Sequence, residues 1–80
     1  MPTVVREGDL ALAVHPIEKG YEPPHVHVLV GGSDICRINL LTAEFMDEPP
    51  PGRRRVILDL YNRHISSCWQ EWVRCHGKGE

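Results

Sequence analysis

The stretch HVHVLVGGSDICRINLL at residues 25–41 decides the fold of this 80-residue chain. Val26, Val28 and Val30 alternate with other residues, and alternation with a period of two is typical of a β-strand. β-branched residues favour strands, and the glycine pair at residues 31–32 is a hairpin signal. The segment therefore predicts a strand at 25–30, a tight turn, and a returning strand at 34–41.

The length of the turn decides which faces of the two strands coincide, because a one-residue slip exchanges the faces of a strand. With an even number of loop residues, the histidines would share a face with the apolar side chains of the returning strand, which are Cys36, Ile38 and Leu40. With a three-residue loop, Gly31-Gly32-Ser33, the valines join that apolar face instead. Burial favours the three-residue loop. We therefore expect His25 and His27 to point outward on a polar face with Arg37 and Asn39, away from the helix.

The remaining segments predict a β-meander followed by one helix. Short strands are expected at 3–6 and 10–15, and the proline-containing segment 16–24 is expected to be a loop. From residue 53 to residue 75, apolar residues recur at spacings of three and four, which predicts one long helix that ends before Gly77. These residues are Ile57, Leu60, Tyr61, Ile65, Cys68, Trp69 and Trp72. Because such a helix buries its stripe against a sheet, we expect one α+β domain over residues 1–80, with three or four antiparallel strands packed on the C-terminal helix.

The composition is that of an ordinary globular protein, with 41% hydrophobic and 25% charged residues. A net charge of −2 gives no overall attraction to nucleic acid or to an anionic membrane. The chain has no long apolar run, and its charged first seven residues lack the apolar core of a signal peptide. An odd number of cysteines favours reduced thiols, so we expect a cytoplasmic protein. A chain this small has a thin core, so function is expected at a surface or a shallow groove.

Histidine chemistry leaves two alternatives open, with His25, His27 and His64 as the candidate residues. His25 and His27 project the same way and suit a metal, and His64 or Cys68 would complete a zinc-like set only with the even-numbered loop. Alternatively, one of the strand histidines is a general acid–base group that works with Arg37 on a phosphate, in metal-independent RNA cleavage. The sequence holds no nucleophile elbow and no phosphate-binding glycine loop. It therefore favours a protein without a cofactor and without enzymatic activity.

Charged clusters and one tryptophan are the candidate binding residues. They are Asp34, Arg37, Glu44, Asp47, Glu48, Arg53, Arg54 and Trp69. The acidic members suit competition with nucleic acid for the basic surface of a partner. The arginine triplet at 53–55 suits phosphate contacts, although the net negative charge places nucleic-acid binding last. Trp69 lies at the edge of the helix stripe and is an interface candidate, and an open sheet edge could pair with a second copy.

Several motifs together resemble the bacterial family called domain of unknown function 4160. They are Met1-Pro2-Thr3, Pro23-Pro24-His25-Val26-His27-Val28, Gly31-Gly32, and His64 followed by Trp72 eight residues later. The resemblance implies a small stand-alone bacterial protein, encoded beside another short protein in an arrangement similar to a toxin–antitoxin pair. It points to His25, His27, His64 and Trp72 but brings no established catalytic residues.

Residues and resemblance together predict a small protein-binding module of a toxin–antitoxin-like or phage system. Its partner would be a neighbouring gene product or a host defence complex. One alternative is a phage-encoded inhibitor of host defence, such as an anti-CRISPR protein. Another is a ribonuclease toxin that depends on its histidines.

Overall fold

A computed structural model of the protein describes residues 3–16 and 23–76. Four antiparallel strands form one sheet in sequence order: β1 (Thr3–Glu7), β2 (Leu10–Ala13), β3 (His25–Val30) and β4 (Ser33–Asn39). Two helices follow, α1 (Arg54–Arg63) and α2 (Ile65–His76). The predicted α+β meander is confirmed, although β2 and β4 both end two residues earlier than expected. Met1-Pro2, residues 17–22 of the predicted loop and Gly77 lie outside the described residues.

The turn between β3 and β4 contains two residues. Val30 pairs with Ser33 and Leu29 pairs with Asp34, so Gly31 and Gly32 alone form the loop. Their φ angles of 57° and 85° are the left-handed pair that a type I′ hairpin turn requires. The predicted three-residue loop is therefore wrong.

A β-bulge in β4 nevertheless produces the predicted faces. Ile35 is the extra residue, and beyond it His27 pairs with Arg37 while Val28 pairs with Cys36. One inserted residue shifts the register by one, so the two-residue turn plus the bulge has the same effect as a three-residue loop. The prediction that the valines share a face with the apolar residues of β4 is confirmed.

The core lies between this apolar face and the helices. β2 adds to the same face, because Leu12 pairs with Val28 and Leu10 pairs with Val30. The buried cluster consists of Leu10, Leu12, Val14, Val26, Val28, Cys36, Ile38, Leu40, Ile57, Leu60, Tyr61 and Cys68. The helical members recur at spacings of three, one and seven, so a single stripe runs through both helices.

The predicted single helix is divided at His64. There the backbone has φ −131° and ψ 27°, and the His64 N–H donates to the Tyr61 carbonyl at 3.0 Å. A straight helix of that length would be about 34 Å long, whereas a six-residue strand spans about 20 Å. The break keeps both halves beside the sheet. Neither helix in the described part of the chain has the length and apolar character to cross a membrane.

Two bidentate ion pairs attach α1 to the β1–β2 hairpin. Arg63 donates to both carboxylate oxygens of Glu7, at 2.6 and 3.0 Å. Arg53 donates to both oxygens of Asp9, at 3.1 Å each. These hydrogen bonds lower the pKa of each carboxyl group, and they set the direction of the helix along the sheet.

Both edges of the sheet are modified in ways that oppose pairing with another strand. β1 carries a bulge between Thr3 and Val5 and ends in exposed charged residues. Along β4, Ile38 forms a bridge with Phe45, and the Met46 N–H donates to the Arg37 carbonyl at 2.8 Å. Bulges, charges and covering segments are known protections of sheet edges. They disfavour the predicted association through an edge strand.

Replacing Gly32→Ala should lower the free energy of unfolding by about 1 kcal/mol, because alanine is strained at positive φ. Nothing lies within 4 Å of the added methyl group, so the cost is confined to the backbone. Urea denaturation measures it. The control Ser33→Ala, at the next exposed position, should change stability by less than about 0.5 kcal/mol. Equal stabilities for Gly32→Ala and the parent would contradict the assigned turn.

Candidate functional sites

Four histidines and one tryptophan form a chain of ring contacts at one end of the sheet, here called the histidine cluster. The His27 ring centroid lies 5.5 Å from that of His15 and 5.1 Å from that of His25. His25 lies 5.5 Å from Trp72, which stacks on His76 at 3.8 Å. His76 Nε2 is 2.8 Å from the His15 carbonyl oxygen and donates to it. The cluster therefore joins the segment that follows β2, strand β3 and the end of α2.

The expectation that His25 and His27 point outward, away from the helix, is wrong. Their exposed fractions are 1% and 9%, and the His25 ring contacts Trp72 of α2. The apolar alternation of β3 correctly separated histidines from valines, but both faces of the strand are buried. A period of two shows which residues lie on opposite faces of a strand, but it does not show that either face is exposed to solvent.

His64 does not join this cluster. It lies at the helix break near Glu7, whose pKa is lowered mainly by the hydrogen bond from Arg63 and to a smaller extent by the charge of His64. The set of His25, His27 and His64 is therefore not assembled. Among residues 3–16 and 23–76, no three His, Cys, Asp or Glu side chains are grouped to hold a metal ion.

His27 makes a close contact with a carboxylate. Its Nδ1 is 2.8 Å from Asp34 Oδ2, and because a carboxylate oxygen only accepts, Nδ1 is the donor. The two-residue turn makes this contact possible, because it pairs Asp34 with Leu29, which lies on the same face of β3 as His27. Arg37, directly opposite His27, donates to both oxygens of Asp47 at 2.8 and 3.1 Å, and these bonds lower the pKa of that carboxyl. A carboxylate-oriented imidazole is suited to proton transfer, but the low exposure of His27 restricts access to it.

Two arginines of the triplet at 53–55 have different partners within the chain. Arg53 is held by Asp9, as described above. The Arg54 guanidinium lies 4.9 Å from the centroid of the Phe45 ring, a cation–π distance. Phosphate contact by the triplet stays a prediction.

A tight loop follows β4 and is held by its first residue. The side-chain oxygen of Asn39 accepts hydrogen bonds from the N–H groups of Leu41 at 2.7 Å and Thr42 at 3.3 Å. The Ala43 N–H donates to the Asn39 carbonyl at 2.7 Å, and the Asn39 N–H donates to the Glu44 carbonyl at 2.8 Å. We call residues 39–48 the Asn39 loop. Its backbone is ordered by its own hydrogen bonds.

Two features of the Asn39 loop were not predicted from the sequence. Leu41 is 65% exposed, although it was assigned to the end of a strand. Ala43 has a φ of 66°, a left-handed conformation that costs a non-glycine residue about 1–2 kcal/mol. Backbone strain of this kind is concentrated at binding and catalytic sites. The only sign of this loop in the sequence was Leu41 itself, because two consecutive leucines interrupt the alternation expected of a strand.

A shallow groove of about 490 Å³ adjoins the Asn39 loop. It is lined by Ala43, Glu44, Phe45, Met46, Asp47, Glu48, Pro49, Arg54 and Leu58. The structure thus brings together three of the four predicted acidic binding residues, while Asp34 lies at His27 instead. Asp47 is already engaged by Arg37, whereas Glu44 and Glu48 are exposed.

An apolar stripe remains on the surface of α2. Ile65 is 37% exposed and Val73 is 49% exposed, with Trp69 half-buried between them. We call these three residues the α2 stripe. Trp69 and Val73 also line a concavity of about 420 Å³ with Gln70 and Arg74. Trp69 therefore lies at the surface edge predicted for it, but Ile65, which was predicted to be buried, is exposed.

Comparison with known proteins identifies no relative. No family model matches the chain, and neither a curated protein nor a solved structure matches it. The resemblance to the domain of unknown function 4160 family therefore stays a prediction.

Replacing Ala43→Gly should raise the free energy of unfolding by about 0.5–1 kcal/mol, since relief of the left-handed strain exceeds the added flexibility of glycine. Urea denaturation measures the change. Gly32→Ala is the mirror-image control, at another left-handed position, and should have the opposite sign. Loss of stability in Ala43→Gly would show that the Ala43 methyl group makes contacts worth more than its backbone strain.

Proposed function

We propose that this protein is a small, non-enzymatic protein-binding module that binds its partner through the Asn39 loop and the adjoining groove. The observation that carries the proposal is Leu41, 65% exposed on a loop fixed by hydrogen bonds to Asn39. Holding a binding loop in one conformation reduces the entropy lost on association. The strained backbone at Ala43 supports a binding role for the same loop.

The groove indicates the chemistry of the partner. Glu44 and Glu48 are exposed carboxylates, while Asp47 is neutralised by Arg37. The surface therefore suits a protein segment that offers an apolar contact to Leu41 and basic groups to the two glutamates. Complementary charges of this kind mainly increase specificity and the rate of association.

The proposed setting is a toxin–antitoxin-like or phage system, in which the partner is a neighbouring gene product. An inhibitor of host defence, such as an anti-CRISPR protein, is the alternative within the same class. Defence complexes that bind nucleic acid present basic surfaces, and the carboxylates of the groove would compete for one of them.

A photo-crosslinking amino acid in place of Leu41 should capture the partner in the native cell and allow its identification by mass spectrometry. The matched control places the same group at Arg55, an exposed position of α1 outside the groove. With the purified partner, Leu41→Ala should weaken binding about tenfold or more. Glu44→Gln should weaken it mainly at low salt.

The identity of the captured protein separates the two settings. A short protein encoded next to this chain supports the toxin–antitoxin-like setting, and a nucleic-acid-binding defence protein supports the inhibitor. Equal adducts at positions 41 and 55, or unchanged affinity in Leu41→Ala, would contradict the assigned surface.

A ribonuclease is the second candidate function, favoured by the His27–Asp34 contact. A carboxylate on Nδ1 leaves Nε2 of the ring to take up or deliver a proton, and Arg37 lies directly opposite on β4. The difficulty is access, since the His27 residue is 9% exposed and an attacking 2′-hydroxyl has to reach it.

If the protein is a ribonuclease, expression should arrest growth and degrade RNA. Asp34→Asn should lower the rate about 100-fold or more, because the orienting carboxylate is lost. Asp34 is exposed, so this variant is expected to fold, unlike a substitution at buried His27. The control Asp47→Asn, which removes only the partner of Arg37, should keep most activity. Intact RNA after incubation with the purified parent protein would exclude this function.

A further inference from the structure

The α2 stripe is a second surface, distinct from the Asn39 loop, and it bears on self-association. We propose that two copies of this chain bind each other through the α2 stripes as an antiparallel helix pair. Contiguous exposed apolar side chains on a small protein commonly mark an interaction site. The occupant is inferred from the symmetry of the stripe, the charge beside it and the state of the sheet edges.

The stripe is nearly symmetric about its centre. Ile65 and Val73 lie four residues before and after Trp69, so all three share one face of the helix. In an antiparallel pair related by a twofold axis, Trp69 meets Trp69 of the second copy. Ile65 of each copy then meets Val73 of the other. A twofold interface has to be complementary to itself, and this pattern satisfies that condition.

The flank of the stripe carries one charged side chain, Arg74, which shares the concavity of Trp69 and Val73 and is paired with Glu71 of the same helix. Ser66 and Gln70 are exposed and uncharged. The nearest charged side chains, Arg74 and Glu71, are bonded to each other, with Arg74 Nε 3.1 Å from Glu71 Oε1. The charge that a second copy meets at this face is therefore already paired within its own helix, whereas a strongly charged partner would find little to complement.

Neither sheet edge offers an equally open route to self-association. β1 has a bulge and exposed charged residues, and the edge of β4 is covered at Ile38 by its bridge to Phe45. The apolar residues of α2 stay exposed on an otherwise regular helix. The helix is the element that a second copy can cover without displacing anything in the described structure.

The size of the contact indicates a weak dimer. α2 has 12 residues and is therefore about 18 Å long. A single helix pair of this length buries less than the roughly 1,200 Å² of a standard stable interface. We therefore expect a dissociation constant on the order of tens of micromolar or weaker.

Sedimentation equilibrium should show the average mass rising from 9.1 kDa toward twice that value as concentration increases from about 10 µM to about 1 mM. Val73→Glu should keep the protein monomeric over this range. Val73 is already half-exposed, so the variant should retain the circular dichroism spectrum of the parent. The double variant Ile65→Lys with Val73→Glu should dimerise again, because the antiparallel arrangement places the new opposite charges face to face.

The control Leu41→Ala should dimerise like the parent, which separates this test from that of the partner-binding loop. A parent protein that stays monomeric at the highest concentration would overturn the proposal. So would dimerisation of Val73→Glu equal to that of the parent. Failure of the double variant to restore a dimer lost in Val73→Glu would overturn the antiparallel arrangement.

Discussion

The inserted residue Ile35 in β4 controls the positions of both the core and the histidine cluster. A two-residue glycine turn alone would bring the histidines of β3 against the apolar side of β4. The bulge shifts the register by one, so Val26 and Val28 face Ile38 and Cys36 instead. The two-residue turn, in contrast, pairs Asp34 with Leu29 on the histidine face, where Asp34 contacts Nδ1 of His27. The turn thus brings a carboxylate to an imidazole, and the one extra residue of the bulge closes the core.

The break at His64 determines in a similar way how the two helices are placed on the sheet. α1 is held along the β1–β2 hairpin by its ion pairs with Glu7 and Asp9. α2 starts anew after His64, buries Cys68, and reaches the histidine cluster through Trp72 and His76. Because Cys68 and Trp72 lie on the face of α2 that packs against the rest of the domain, Ile65 and Val73 lie on its exposed face. The apolar stripe on α2 is therefore a consequence of how the second helix docks.

The strand and helix periods were sufficient to predict the meander, the apolar faces and the core stripe. They were not sufficient for the turn, because a three-residue loop and a two-residue turn with a bulge produce the same faces beyond Cys36. The break at His64 also escaped prediction, since no proline or glycine marks it. Alanine is an unusual residue at positive φ, so Ala43 gave no signal. The alternative metal set of His25, His27 and His64 required the even-numbered register, which was not the one predicted.

Several places in the described part of this small chain depart from the local rules of protein structure, and their surroundings differ. The histidine cluster buries polar rings, but stacking on Trp72 and the bond from His76 to the His15 carbonyl compensate part of that cost. The exposure of Leu41 and Val73 has no such compensation among the described residues, and the strained Ala43 lies in a loop that is held by the hydrogen bonds of Asn39. A domain of this size has little stability to spare. Contacts with another chain would cover these exposed side chains, which is the reason for the proposal that the Asn39 loop and the α2 stripe are binding surfaces.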